Sequence, residues 1–227
     1  MFDALYLSPH FDDAVLSCGS QIWDRTRRGE RVAVVTVCAA PPSEQLSPFA
    51  QSLHDRWRAA GEFDRKSEDL QALAVLQATP IHLAVPDCIY RRGSNGEWLY
   101  ASEAAIFGEV SAAEDYLIER LVTTFRQFEL KENAALFVPY ALGHHVDHLL
   151  VKRAGEAWCQ TVGRSFRYYA DYPYAEAIPG GEEVIISDDG RRQKIQALLN
   201  YRSQLSTFWP SEADMIAKVS QWPERLF

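Results

Sequence analysis

Short apolar runs alternate with longer amphipathic stretches from the first residues of this chain onward, and that alternation limits the fold more than any other feature. Ala4 to Ser8 and Arg31 to Cys38 are nearly continuous apolar runs of strand length. A strand buried on both faces reads this way, as in a parallel sheet covered by helices. Between them, Ala14 to Arg28 has helical spacing and ends in basic residues just before Gly29, a helix stop. The basic cluster of Arg27, Arg28 and Arg31 is explained by the helix dipole, which favours cations at a C-terminus.

The same reading continues along the chain. A loop rich in Pro and Ser, Ala39 to Pro48, leads to a polar helix expected from about Leu53 to Gln77 and a strand near Ile81 to Val85. Pro86 to Ser102 carries Gly93, Asn95 and Gly96 and reads as a loop or small hairpin. Its Trp98 and Tyr100 offer either a platform for a sugar or ordinary packing. Beyond it the pattern predicts a helix from Ala112 to Phe128, a strand from Ala134 to Pro139 and a helix from Val146 to Val162. Strands near Phe166 to Tyr169 and Glu183 to Ser187, with helices at Arg191 to Tyr201 and Glu212 to Ser220, complete it. Strands alternating with helices predict an α/β fold, a single Rossmann-like domain over 1–227 with a mostly parallel sheet flanked by helices.

Bulk properties narrow the partners. A chain of 227 residues buries a core without disulfides. Its net charge of −8 repels phosphate backbones, so nucleic acid is excluded as an expected partner. Cys18, Cys38, Cys88 and Cys159 are widely spaced with no C-x-x-C pair, which suits buried thiols in a reducing compartment. No run approaches the roughly 20 apolar residues of a membrane span, and the first residues lack a basic, long-apolar leader. A cytoplasmic protein is expected; a homo-oligomer stays open.

Two polar clusters fall at the carboxyl ends of expected strands, where open α/β sheets bind ligands. Ser8-Pro9-His10-Phe11-Asp12-Asp13 follows the first strand and offers an imidazole and two carboxylates. A catalytic zinc takes three nitrogen or oxygen ligands and keeps a position open for water, and His10 and Asp13 supply two. The plain alternative is that Asp12 and Asp13 only cap the helix. Gly143-His144-His145-Val146-Asp147-His148 follows the fourth strand and gathers three of the six histidines. His145 and His148 are three apart and project to one side of a helical turn, and Asp147 is placed to orient an imidazole. Asp12 is then the spare carboxylate, suited to taking a proton from water. A dinucleotide site is excluded because the first loop lacks G-x-G-x-x-G. His54 and His82 lie outside both clusters and read as structural or solvated.

A strand, H-x-D-D opening a helix, and H-x-D-H about 130 residues later resemble the LmbE-like or PIG-L family of zinc-dependent N-acetylglucosamine deacetylases. The resemblance implies a Zn2+ cofactor, with another divalent metal an alternative. It implies His10, Asp13 and His148 as metal ligands, Asp12 as general base, His145 as the group stabilising the oxyanion and Asp147 as the support of a histidine. Arg65 to Glu68 resembles the family's R-x-x-E segment and Leu83 to Asp87 its L-x-x-P-D segment, which implies Arg65 and Asp87 as sugar contacts. Lys194-Ile195 and Tyr201-Arg202-Ser203-Gln204 resemble a weaker later element. The expected substrate is a small amino-sugar conjugate. The first motif departs from the common A-H-P-D-D-E, with Phe11 for proline and Ala14 for glutamate, so the pocket floor differs while the ligand positions stay. Tyr140 and the segment Asp171 to Tyr174 have no assigned role; the latter lines the cleft or forms a proline turn. The rival readings are a metal-dependent amidase or deacylase of another acyl substrate, and a non-catalytic metal-binding protein.

Overall fold

A computed structural model of the chain describes residues 1–59, 64–174 and 179–227. Its centre is a sheet of order β3-β2-β1-β4-β5-β7-β6. These strands are β1 (Phe2–Ser8), β2 (Val32–Thr36), β3 (Thr79–His82), β4 (Leu130–Pro139), β5 (Arg167–Tyr169), β6 (Glu182–Glu183) and β7 (Arg225–Leu226). The strands β3 to β5 run parallel, and β7 pairs antiparallel with both β5 and β6. The α/β architecture with a mostly parallel sheet is as the alternating pattern predicts.

β1 is the middle of the five parallel strands, with Ala4 opposite Val32 on one side and Ala135 on the other. Its alternating side chains feed two cores. Ala4 and Tyr6 pack with α1 (Asp13–Arg27), α3 (Arg65–Val75), α7 (Asp188–Leu198) and α9 (Glu212–Gln221). Leu5 and Leu7 pack with α5 (Asp115–Phe125) and α6 (Val146–Val162) on the opposite face. This two-sided burial is why the strand reads as one apolar run rather than an alternation. A short α4 (Glu103–Ile106) precedes α5, and α8 (Arg202–Phe208) lies between α7 and α9.

Several boundaries differ from the sequence expectation. The helix expected over Leu53 to Gln77 is two: α2 (Pro48–Ala59), which takes in Pro48 at its start, and α3. Residues 60–63 of that expectation lie outside the described residues. Asp64 opens α3 by accepting from the Lys66 N–H, a helix cap the hydrophobic spacing does not reveal. β3 begins at Thr79 rather than Ile81 and holds Pro80, which is tolerated because β3 is an edge strand. The strand expected over Glu183 to Ser187 shrinks to β6, because Ser187 instead caps α7 through the Gly190 N–H. Among the described residues no helix is long and apolar enough to cross a membrane.

Candidate metal centre at the carboxyl ends of β1 and β4

The chain turns back from β1 toward β2 on one side, while β4 lies on the other, so the loops after β1 and β4 diverge above a crevice. Both histidine clusters sit there, at the topological switch point. The first loop is cinched by Ser8, whose hydroxyl donates to the His10 carbonyl at 2.6 Å and accepts from the Ala14 N–H at 3.0 Å. The His10 N–H donates to Asp13 Oδ2 at 2.8 Å. Asp12 occupies the capping position of α1 yet makes no side-chain cap. The capping alternative is therefore overturned for Asp12: its carboxylate is left to face the cavity.

The second loop needs unusual backbone. Ala141 and His144 have positive φ, and the space beside Gly143 is taken by the Tyr174 ring, which an added Cβ would meet at 2.5 Å. His144 is exposed and does not line the cavity over the trio. His145 caps α6, its Nδ1 accepting from the Asp147 N–H at 3.3 Å. In the neutral ring that acceptor leaves the proton on Nε2.

His10, Asp13 and His148 bring ligand atoms within 4.8 Å of one another. Asp13 Oδ2 lies 3.2 Å from His10 Nδ1 and 3.3 Å from His148 Nε2. The outer nitrogen of each ring is held by another carboxylate: His10 Nε2 meets Asp147 Oδ2 at 2.9 Å, and His148 Nδ1 meets Asp171 Oδ1 at 2.8 Å. Each imidazole is thereby turned so that its inner nitrogen faces Asp13, the arrangement by which proteins aim histidines at a metal. Two nitrogens and one carboxylate oxygen, with a cavity over them, fit a divalent ion such as Zn2+. Two other trios of possible ligands, His10–Cys38–Asp147 and Cys88–His145–Asp147, run through Asp147. Its oxygens are already engaged by His10, the Cys88 N–H at 3.1 Å and Arg91 Nη2 at 2.6 Å.

Behind the centre runs a buried chain of charge. Arg91 and Asp147 are 5% and 0% exposed, and Arg91 Nε reaches Glu114 Oε1 at 2.7 Å. The Tyr100 hydroxyl donates to Glu114 at 2.5 Å. Burial pushes the Asp147 carboxyl upward, but Arg91 and His10 overcome it and hold it well below the usual carboxylate range. Asp13 is likewise held down by His148 and His10 against burial. Asp12 goes the other way: burial, then the charge of Asp13, raise it to about 6. Burial and the charge of His10 push His145 down to about 4.

A cavity of about 520 Å³ opens over the trio and is lined by Asp12, Arg65, Asp87, Phe107, His145 and Tyr174, among others. Arg65 Nη2 lies 3.9 Å from Asp12 Oδ1, and Asp87 Oδ2 lies 3.8 Å from His10 Nε2. The eight residues singled out in the sequence thus converge on one place. Of the two readings of the loop aromatics, packing holds: Trp98 stacks under Arg92, with 3.8 Å between the guanidinium carbon and the ring centre, and Tyr100 is buried on Glu114. Neither lines this cavity. Tyr140 packs between Tyr168 and Phe227. His82 pairs with buried Asp69 at 2.7 Å, and His54 meets the Tyr90 hydroxyl at 2.6 Å. Sequence reasoning left Asp171 unassigned, although its place just after β5 is the same signal that marks the other two clusters. Arg91, Glu114 and Phe107 carry no local signal.

An open α/β sheet with two histidines and one carboxylate at its switch point fits a metal-dependent hydrolase. The chain belongs to the PIG-L family, described as GlcNAc-PI de-N-acetylase, whose pattern it matches over residues 5–159. It is 28% identical over 237 aligned positions to the 2'-N-acetylparomamine deacetylase of Niallia circulans, spanning 92% of this chain and 83% of that protein. Among solved structures it is similar to the zinc-inhibited form of teicoplanin deacetylase Orf2, at 28% identity and a TM-score of 0.80, covering 94% of this chain and 89% of the other. It is also similar to the A40926 pseudoaglycone deacetylase Dbv21, at 26% identity and a TM-score of 0.74, covering 99% and 95%.

Proposed function

We propose that this chain removes the N-acetyl group from an N-acetylglucosamine-type conjugate, releasing acetate and a free amine. One observation carries the reading: Asp12, a buried carboxylate unused as a cap, faces the same cavity as the His10–Asp13–His148 trio. A non-catalytic metal binder has no use for that second carboxylate. The deacetylases of acetylparomamine, teicoplanin and A40926 pseudoaglycone among its relatives support an acetylated sugar conjugate as substrate. Four buried free cysteines suit a cytoplasmic setting.

His10, Asp13 and His148 hold the divalent ion, which when bound lowers the pKa of water and polarises a carbonyl. Asp12 accepts a proton from the attacking water as its oxygen adds to the acetamide carbon. His145 donates its Nε2–H to the oxygen on which negative charge develops. Neutral His145 does this as a hydrogen-bond donor, which its depressed pKa allows at neutral pH. Asp12 then returns the proton to the amine nitrogen as the C–N bond breaks. Asp147 and Asp171 position the two imidazoles, and Arg65 and Asp87 contact the sugar.

Acetate release from a panel of N-acetylglucosamine conjugates, measured before and after chelation and after restoring zinc, tests the reading. Release that stops on chelation and returns with zinc is the expected result. A zinc-loaded protein that releases only longer acyl groups, or nothing, overturns it.

A further inference from the structure

The cavity over the metal centre has a neighbour of about 560 Å³ on the other side of a wall formed by Trp57, Arg65, Asp87, Ser203 and Gln204. These five residues line both spaces, so the two are adjoining lobes that share this wall. Each alone is within the range of small-molecule sites, roughly 300–1,000 Å³. Resting on the deacetylase reading, which seats the acetylated sugar over His10, Asp13 and His148, we propose that the second lobe is a subsite for the group joined to that sugar, and that this group is aromatic.

Flat apolar surfaces make up much of the lining, beside the charged Asp64, Arg65, Lys66 and Asp87. Phe11, Pro41, Pro42, Trp57 and Tyr90 bound the lobe. Two of these rings are fixed before any ligand arrives. The Tyr90 hydroxyl meets His54 at 2.6 Å, and Trp57 sits against His54 at 5.3 Å between ring centres, with the Arg65 guanidinium carbon 6.0 Å from its own. Rigid aromatic surfaces favour a ring offset-stacked or edge-on against them. Phe11, the residue standing where proline is common in the family's motif, lies perpendicular to His82 with 5.2 Å between ring centres and contributes to this lobe.

The wall between the lobes offers a donor without an acceptor. Arg65 Nε is buried and makes no hydrogen bond among the described residues, while its Nη2 points toward Asp12 at 3.9 Å. An unmet buried donor at the junction suits an acceptor oxygen such as the one linking a sugar to a ring. A polycationic partner fits less well, because Arg65 and Lys66 line this lobe beside its two carboxylates, which already accept protein hydrogen bonds. Asp64 accepts from the Lys66 N–H and the Ser67 hydroxyl, and Asp87 Oδ1 accepts from the Ile89 N–H.

Calorimetry on the zinc-loaded Asp12→Asn protein tests this without turnover, using methyl, 4-nitrophenyl and aminocyclitol-linked N-acetylglucosaminides as probes. The 4-nitrophenyl compound is expected to bind about tenfold or more tightly than the methyl one. That advantage should fall to about threefold or less in Ala40→Trp, which fills the lobe, and in Tyr90→Ala, which removes a wall. Equal affinities, an aryl advantage that survives both substitutions, tighter binding of the aminocyclitol compound, or no binding of the aryl compound each overturns the proposal. Acetate release by the unsubstituted protein is read separately. Its absence from the methyl, 4-nitrophenyl and aminocyclitol-linked compounds alike removes the deacetylase reading and leaves the affinity ratio to decide the subsite.

Discussion

Arg91 meets Asp147 at 2.6 Å with both side chains withdrawn from water, and Asp147 in turn holds His10 at 2.9 Å. A buried ion pair contributes little net stability when intact, but removing one partner leaves the other charged and desolvated. Arg91→Met strands both Asp147 and Glu114. It is expected to lower the free energy of unfolding in urea by about 3–5 kcal/mol. Arg91→Lys should recover only part, since a lysine cannot serve both carboxylates with a planar fork. A loss under about 1 kcal/mol for Arg91→Met would show that the pair does not anchor the centre.

Asp171 holds His148 from behind at 2.8 Å. Asp171→Asn keeps the shape but removes the charge that fixes the ring's tautomer. Zinc affinity, measured by competition with a chelator, should fall about 10–100-fold while the fold survives. An unchanged affinity would leave His148 oriented by something other than Asp171.

The fold was legible because β1 and β2 are buried on both faces and so read as unbroken apolar runs, and because α6 ends on Gly163 in a left-handed conformation. The site was legible because seven of its eight singled-out residues follow strand ends, while Arg65 opens α3. What stayed hidden depends on long-range packing. Arg91 and Glu114 look like ordinary surface charges until Asp147 is brought to them across the sheet. β7 is two residues long, and its pairing between β5 and β6 has no periodicity to announce it. Trp98 and Tyr100 illustrate the converse: aromatic residues in a glycine-containing loop suggest a ligand surface, yet Arg92 and Glu114 claim them.

Asp12 must be ionised to accept a proton, and burial beside Asp13 raises its pKa to about 6. The proton-accepting form dominates above that value and is lost below it. The pH profile of kcat/KM should therefore show an acid limb near pH 6, with activity falling toward pH 5. The charge of Arg65 pulls the Asp12 value down. Arg65→Met should move the limb to higher pH as well as weaken substrate binding. A limb that stays in place in Arg65→Met would assign it to another group.

The most direct test pairs zinc content with acetate release in Asp12→Asn. The proposed roles leave Asp12 out of the ligand set, so the variant should retain the zinc of the unsubstituted protein. Turnover should nevertheless fall by about 100-fold or more, the scale of a lost general base. Full turnover in the zinc-bearing variant, or loss of zinc together with the carboxylate, would contradict the division between three ligands and one base.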